Sequence, residues 1–440
     1  LHVIGVRVAN KASGPLKSDF SLLLRSPFIY FMIGVSGCMQ HFSYENLQRR
    51  NEIFFKEPES FTKFSDKEIL SYALGATLYM PAIKEHIAAN IIEKKYTELT
   101  SMVIDLEDAV GDFQLEDAEQ NLYMEIETLF LALEENRLTY DELPLIFIRV
   151  RNPEQMKRVT ERLGLKQIVL TGYVFPKFLP DIGREYLEIL KENNSSSLIL
   201  YGMPILETSQ IIYKESRLET LLAIKSLVDE YSKYILNIRI GATDFCGLFG
   251  IRRKANTTIY DVAIIQDCLS DILNIFNRRD QGYVISGPVW EFFSKDARIL
   301  KPTLRMTPFQ EKYGKVGLQL RNQMLNEYLD GLINEVLLDK MNGLIGKTII
   351  HPTHIAPVHS LYVVTHEEYL DALAVINNSE GQVGVIKSVY ENKMNEMKPH
   401  LYWASRILMR ARLFGVFNEE QDFTSLIVEE QQINEVLEVN

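Results

Sequence analysis

The run Val103-Ile104-Asp105-Leu106-Glu107-Asp108-Ala109-Val110 decides how this chain is read, because an apolar strand ends there in three carboxylates within four residues. A strand buried along its length and acidic at its carboxyl end is how an α/β barrel presents charge to a site, since the barrel core opens to solvent at the strand tips. The same acidic end also suits the first turn of a following helix, where Asp and Glu cap free N–H groups and meet the helix dipole. The functional reading therefore depends on whether other apolar runs end in the same way.

They do. Apolar runs of strand length lie at 76–82, 101–106, 145–150, 172–177, 198–206, 237–245, 283–286 and 348–351. Between them, stretches such as 83–95, 116–135, 209–232 and 258–276 carry apolar residues at helical spacing. Strand and helix in alternation predict a parallel sheet, and eight strands predict a TIM (β/α)8 barrel. The long segment 287–343 is expected to hold a loop insertion and then a helix over 317–341. Beyond His366 the alternation stops, leaving helical patterns at 369–376, 403–414 and 423–439. The expected organisation is an N-terminal extension at 1–38, a barrel domain at 39–365 that includes a pre-barrel segment, and a helical C-terminal lid or tail at 366–440.

With 440 residues, 46% of them hydrophobic, the chain can bury a large core. Its net charge of -12 argues against a nucleic-acid partner, which needs a basic face to neutralise phosphates. The three cysteines, Cys38, Cys246 and Cys268, show no metal-ligand pairing, which fits a reducing, cytoplasmic setting. Cys246 has no basic neighbour in sequence and reads as a buried thiol. The apolar stretch 28–37 is too short to span a bilayer, so no membrane partner is expected. Val35-Ser36-Gly37-Cys38 resembles a lipoprotein cleavage box. Residues 1–38 can also be a native packed segment or an extended start before a working protein that begins near Met39, and the last is the preferred expectation. Asn342 to Thr348 has glycines, but at the wrong spacing for a phosphate loop, and a strand follows where a helix should, so it reads as a turn.

The polar ends of the runs are Glu107 and Asp108, Arg149, Lys177, Glu207, Asp244 and His351. Brought to one rim they form a cleft with several carboxylates and at least two cations. Hard oxygen ligands of this kind suit Mg²⁺ or Mn²⁺, which take one or two carboxylates plus water and substrate oxygens. An adjacent Arg is the natural fork for a substrate carboxylate or a developing enolate oxygen.

These residues also carry a family resemblance. In order, LYMPA (78–82), VIDLEDAV (103–110), IRV (148–150), FPK (175–177), ILET (205–208), GATDF (241–245) and GKTIIHP (346–352) resemble the citrate lyase beta subunit and malyl-CoA lyase group. That group shares its barrel with the HpcH/HpaI metal-dependent aldolases. The tail segment KMNEMKPH (393–400) followed by Trp403-Ala404 is similar to a narrower bacterial branch, the C-C bond lyases of TIM-barrel fold associated with tellurium-resistance or stress gene clusters. The resemblance implies that Glu207 and Asp244 hold Mg²⁺ and that Arg149 contacts substrate oxygens, with Glu107 and Asp108 orienting metal-bound waters. It implies a carbon–carbon lyase acting on a small-molecule carboxylate or an acyl-CoA substrate through a metal-stabilised enolate, in a homo-oligomer. The base is expected to be a water positioned by Glu107 or Asp108, or else His351, with Lys177 a rim cation or an ion-pair partner.

Three departures bear on specificity: Thr243 where the family has Glu, Thr208-Ser209 without a proline, and Arg151 where an Asn is common. They leave the metal ligands intact, put acyl-CoA use in doubt and suggest a more anionic substrate. They also keep open a second reading, a catalytically idle barrel that serves as a binding or scaffold subunit. In the wider family the tail closes over a neighbouring subunit's site, so Lys393, Asn395, Lys398 and His400 are expected either to face a substrate or to belong to a helical appendage packed on the barrel.

Overall fold

The computed structural model describes residues 38–293, 327–379 and 383–427. The extension up to residue 37, the first part of the 317–341 helix and the end of the 423–439 helix lie outside them.

Eight parallel strands close into a barrel in sequence order. They are β1 (Ala76–Pro81), β2 (Ser101–Asp105), β3 (Leu145–Arg149), β4 (Gly172–Phe175), β5 (Tyr201–Leu206), β6 (Ile238–Ile240), β7 (Ile285–Trp290) and β8 (Lys347–Ile349). Pairing of Thr77 with Thr348 joins β1 to β8 and closes the ring. Every residue of β2 to β6 is buried, since helices cover the outside and side chains fill the inside. Both faces must then be apolar, which is why these strands read as continuous runs rather than as alternation.

The helices follow from simple signals. Helix Leu115–Glu134 buries Ala118, Leu122, Ile126, Leu129 and Ala132, one stripe at helical spacing, and places Glu116 and Asp117 in its first turn. Helix Pro153–Leu163 starts directly after β3 because Asn152 caps it, accepting from the Gln155 N–H at 2.8 Å, with Pro153 in the first turn.

Several boundaries differ from the sequence reading. The sixth strand stops at Ile240, and Asp244 lies in the short helix Ala242–Leu248 rather than at a strand tip. The seventh runs on to Trp290 with an irregular register against β8, while the fifth begins only at Tyr201. The eighth ends at Ile349, leaving His351 beyond it. The expected helix 209–232 is broken at Tyr213, whose extended backbone separates Ser209–Ile212 from Lys214–Glu230.

A buried ion network ties helix Glu327–Met341 to the outside of the barrel wall. Lys347, at the start of β8, is fully buried and ion-paired to Glu335 at 2.9 Å and Asp339 at 2.7 Å, both from helix Glu327–Met341. Arg253 also holds Glu335, at 2.6 Å, and the Tyr260 hydroxyl donates to Asp339. Outside this network lies the tail. Helix His366–Asn377, opened by a Thr365–Glu368 capping box, and helix Met397–Phe414 enclose a small core of their own with Val375, Ala404, Ile407 and Ala411. Phe414 stacks on His41 at 4.4 Å, and Arg406 reaches Asn277 and the Gly343 carbonyl in the loops that precede β7 and β8. Val416–Phe417 pairs antiparallel with Phe54–Lys56. Within one chain the long tail helix therefore covers the end of the barrel opposite the acidic strand tips.

Candidate active site

The loop after β2 is built around Asp105. Its carboxylate accepts from the Glu107 N–H at 3.0 Å and the Ala109 N–H at 3.2 Å, so the acidic turn folds back on its own strand end. Parallel pairing sets Asp105 level with Arg149 on β3. The Arg149 guanidinium grips Asp105 with both Nε and Nη2 at 2.6 Å, while Nη1 lies 3.0 Å from Glu107 and 3.2 Å from Asp108. Such a planar fork on a carboxylate gives geometry as well as energy. Burial alone would lower the Arg149 pKa, but the Asp105 contact overcomes it and holds the group above the ordinary arginine range.

Lys177 lies just past β4 in a left-handed conformation, φ 49°, a backbone that side chains other than glycine seldom adopt. Its N–H thereby donates to Glu207 Oε1 at 2.7 Å, while its ammonium binds Glu107 and lies 3.7 Å from Asp108. Burial disfavours the Lys177 charge, but Glu107 and Asp108 more than restore it. Burial raises Glu107, whereas Asp108 is held low despite burial by Glu107, Arg149 and Lys177.

Glu207 follows β5, and its carboxylate fills the space left by the missing side chain of Gly241. A Cβ on that glycine would stand 2.2 Å from Glu207 Oε2. Burial, and then the nearby Asp244 charge, push Glu207 up to about 8. Asp244 is raised as well, by burial and by Asp108. Among the described residues neither Glu207 nor Asp244 forms an ion pair with a Lys or Arg side chain.

A cavity of about 640 Å³ opens at the carboxyl ends of the strands, lined by Asp105, Asp108, Arg149, Glu207 and Asp244 together with Tyr79, Arg239, Thr243, Thr348 and apolar neighbours. Of the sequence candidates it gathers Asp108, Arg149, Glu207 and Asp244. Glu107 and Lys177 stand behind them as supports, outside the lining. His351 is also outside it, which does not suit it as a base. Its Nδ1 meets the Thr353 hydroxyl at 2.8 Å and accepts the Thr353 N–H, capping a turn, and its ring stacks on Phe293 at 4.8 Å. Arg151 is not a cavity cation either, since it braces the acidic loop through the Leu106 and Val110 carbonyls and Asp112. Thr243 donates its hydroxyl to Glu291.

Lys393 and Asn395 are engaged inside the tail. Lys393 lies 2.6 Å from Glu367 and 2.8 Å from Asp371, and Asn395 donates to Asp371. His400 Nδ1 accepts the Glu396 N–H.

Asp105, Tyr79 and Arg239 were missed by the sequence reading. Asp105 could have been found from its place in the acidic run. Nothing in the Ile238-Arg239-Ile240 pattern shows that the arginine points inward. It does, and Tyr79 is held between two guanidiniums, with Arg149 5.4 Å and Arg239 5.5 Å from its ring centre.

The lining holds four carboxylates against two arginines, an excess of two negative charges when every group is ionised. Two of the carboxylates, buried Glu207 and half-buried Asp244, lack a cationic partner among the described residues, and burying an unpaired carboxylate is costly. This donor set fits one divalent, oxygen-preferring cation. No group of three or more His, Cys, Asp or Glu side chains is gathered for a metal among the described residues. Two carboxylates with water and substrate oxygens are the usual arrangement for Mg²⁺.

A closed parallel barrel whose strand tips carry such a charged cavity defines a TIM-barrel enzyme site. Residues 68–416 match the family described as C-C bond lyase of the TIM-barrel fold, and the chain belongs to that family of carbon–carbon lyases. Among solved structures, a citrate lyase from Burkholderia xenovorans LB400 aligns with a TM-score of 0.53 and 12% identity, over 84% of this chain and 99% of that one. The CitE protein of Mycobacterium tuberculosis, in complex with magnesium, acetoacetate and coenzyme A, aligns with a TM-score of 0.46 and 18% identity, over 77% of this chain and 97% of the other. RipC from Yersinia pestis aligns with a TM-score of 0.39 and 16% identity, over 68% and 99% of the two chains. No curated protein matches the chain. No helix among the described residues is long and apolar enough to cross a membrane.

Proposed function

We propose that this lyase is Mg²⁺-dependent and acts on a carboxylated small molecule, with Glu207 and Asp244 as the metal-holding pair. The observation that carries this reading is the pairing in the cavity of buried Glu207 with half-buried Asp244, neither of which is ion-paired to a Lys or Arg among the described residues.

Cleavage of a bond beside a carbonyl leaves negative charge that grows only as the bond breaks, so the site must favour that charge more than the ground state. A divalent ion bound there supplies Lewis acidity and two positive charges. The chain's own residues do the rest. Asp105 fixes the Arg149 guanidinium, so a positive charge stands in place before the reaction and needs no reorganisation. Arg149 is thus a rigid source of field rather than a free fork. Asp108, lining the cavity and kept ionised by its neighbours, accepts the hydrogen bond of a carbinol hydroxyl or of an intervening water and orients the departing proton. Lys177 locks Glu207 in position through its backbone N–H. Glu107 ties Lys177 to Arg149, so one carboxylate sets the spacing of the two cations.

Calorimetric titration of Mg²⁺ into the wild type and Asp244→Ala tests the reading. Binding by the wild type that is lost in the variant is expected. Absence of Mg²⁺ binding by the wild type, or unchanged affinity in Asp244→Ala, overturns it.

A further inference from the structure

Arg239 differs from Arg149, the other cation in the cavity lining. It is 2% exposed, and neither Nε nor the rest of its guanidinium meets a carboxylate among the described residues. One Nη donates to the Thr348 hydroxyl at 2.7 Å, the other lies 3.9 Å from the Met203 sulfur, and Nε has no acceptor. Arg149, by contrast, has spent its fork on Asp105, Glu107 and Asp108.

A buried cation with one neutral hydroxyl as partner is expensive. Burial, and then the positive charge of Arg149, lower the pKa of Arg239. A fold gains nothing from this arrangement, because an apolar side chain of similar volume beside Met203 and Ile205 would pack without the desolvation cost. The group also has access to the cavity. Arg239 pairs in register with Ile205, two residues below Glu207, and lies two residues before Gly241, so it points inward beneath the carboxylate pair.

We propose that Arg239, steadied by Thr348, forms an anion subsite at the floor of the cavity that receives a second carboxylate of the substrate, distinct from the end held near Glu207 and Asp244. The inference rests on the Mg²⁺-dependent reading above and narrows it to substrates with two carboxylates. The guanidinium spends its Nη groups only on Thr348 and Met203 and leaves Nε without an acceptor, so it keeps donor capacity, and an incoming carboxylate would supply the counter-charge that the described residues do not. Tyr79 separates this subsite from Arg149, so the two guanidiniums serve different parts of the ligand.

The test compares Mg²⁺-loaded wild type, Arg239→Gln and Arg239→Met by calorimetry, with pyruvate as the monocarboxylate and oxaloacetate and 2-oxoglutarate as dicarboxylates of increasing length. Wild type should bind at least one dicarboxylate about 10- to 100-fold more tightly than pyruvate, the worth of one charge-assisted contact. Both variants should lose that preference, keep pyruvate affinity and Mg²⁺ affinity, and melt no lower than wild type. Arg239→Lys should retain part of it. The inference is overturned if wild type shows no dicarboxylate preference, or if the variants weaken pyruvate and dicarboxylates equally. Should Mg²⁺ itself fail to bind wild type, the parent reading falls, and the subsite with it. Intact Mg²⁺ and pyruvate binding without dicarboxylate preference sinks the subsite alone.

Discussion

Gly241→Ala is the sharpest probe of the pair proposed to hold the metal, because it adds one methyl group and no charge. The new Cβ would stand 2.2 Å from Glu207 Oε2 and 2.4 Å from the Glu207 Cβ. The carboxylate end can swing away, but the side chain's root on the β5 end cannot, and Oε1 is tied to the Lys177 N–H at 2.7 Å. Overpacking of this kind costs about 1–3 kcal/mol. Displacing the carboxylate proposed to hold Mg²⁺ should cost at least what loss of a supporting residue costs, about 10- to 100-fold in affinity. Gly247→Ala supplies the control six residues on in the same segment. Nothing lies within 4 Å of its Cβ position, and helix propensity alone favours alanine by up to about 1 kcal/mol. Thermal denaturation and Mg²⁺ calorimetry on both variants decide the matter. Wild-type stability and Mg²⁺ affinity in Gly241→Ala would refute the claim that this glycine makes room for Glu207.

Three further outcomes are expected. Lys347→Met leaves the fully buried Asp339 carboxylate without its cation and Glu335 with Arg253 alone, so denaturation should show a loss of about 3–5 kcal/mol, far more than for an exposed lysine. His41 is lowered to about 3 by burial, so the unfolded chain binds more protons than the folded one below about 6.5. Its contribution is present above that pH and lost as the pH falls, by about 2 kcal/mol at pH 5, and His41→Phe should flatten the measured stability profile between pH 5 and 7. Truncation before Lys393 removes Phe414 from His41 and the partner strand from Phe54–Lys56, so circular dichroism and melting should report a destabilised barrel. A truncated chain that melts like the full one would show that the tail helix is not a structural seal.

The barrel was legible because parallel strands buried on both faces leave unbroken apolar runs, and its family resemblance was legible in the motifs at their ends. What sequence could not show was parity. In Ile238-Arg239-Ile240 the same residues fit an inward or an outward arginine, so the cavity cation went unseen while Arg151, two places after Arg149, was credited with the extra charge. By Arg151 the chain has left β3, and the side chain turns to the loop carbonyls instead. Asp244 was placed on a strand because the helix after Gly241 is only seven residues long and carries no side-chain cap. His351 was placed at a strand end for the same reason, whereas the strand ends two residues before it and a short capped turn takes its place.

The pairing of Phe54 with Phe417 has a consequence for how the chain is made. The two strands of that ribbon lie near opposite ends of the sequence, so closing it fixes a very long loop of chain, and contacts of such separation form late. During synthesis the ring of eight strands is complete after β8, yet the floor near His41 stays uncovered until helix Met397–Phe414 has left the ribosome. Between those two moments the nascent barrel leaves apolar surface uncovered at its base, the kind of surface through which incomplete chains associate.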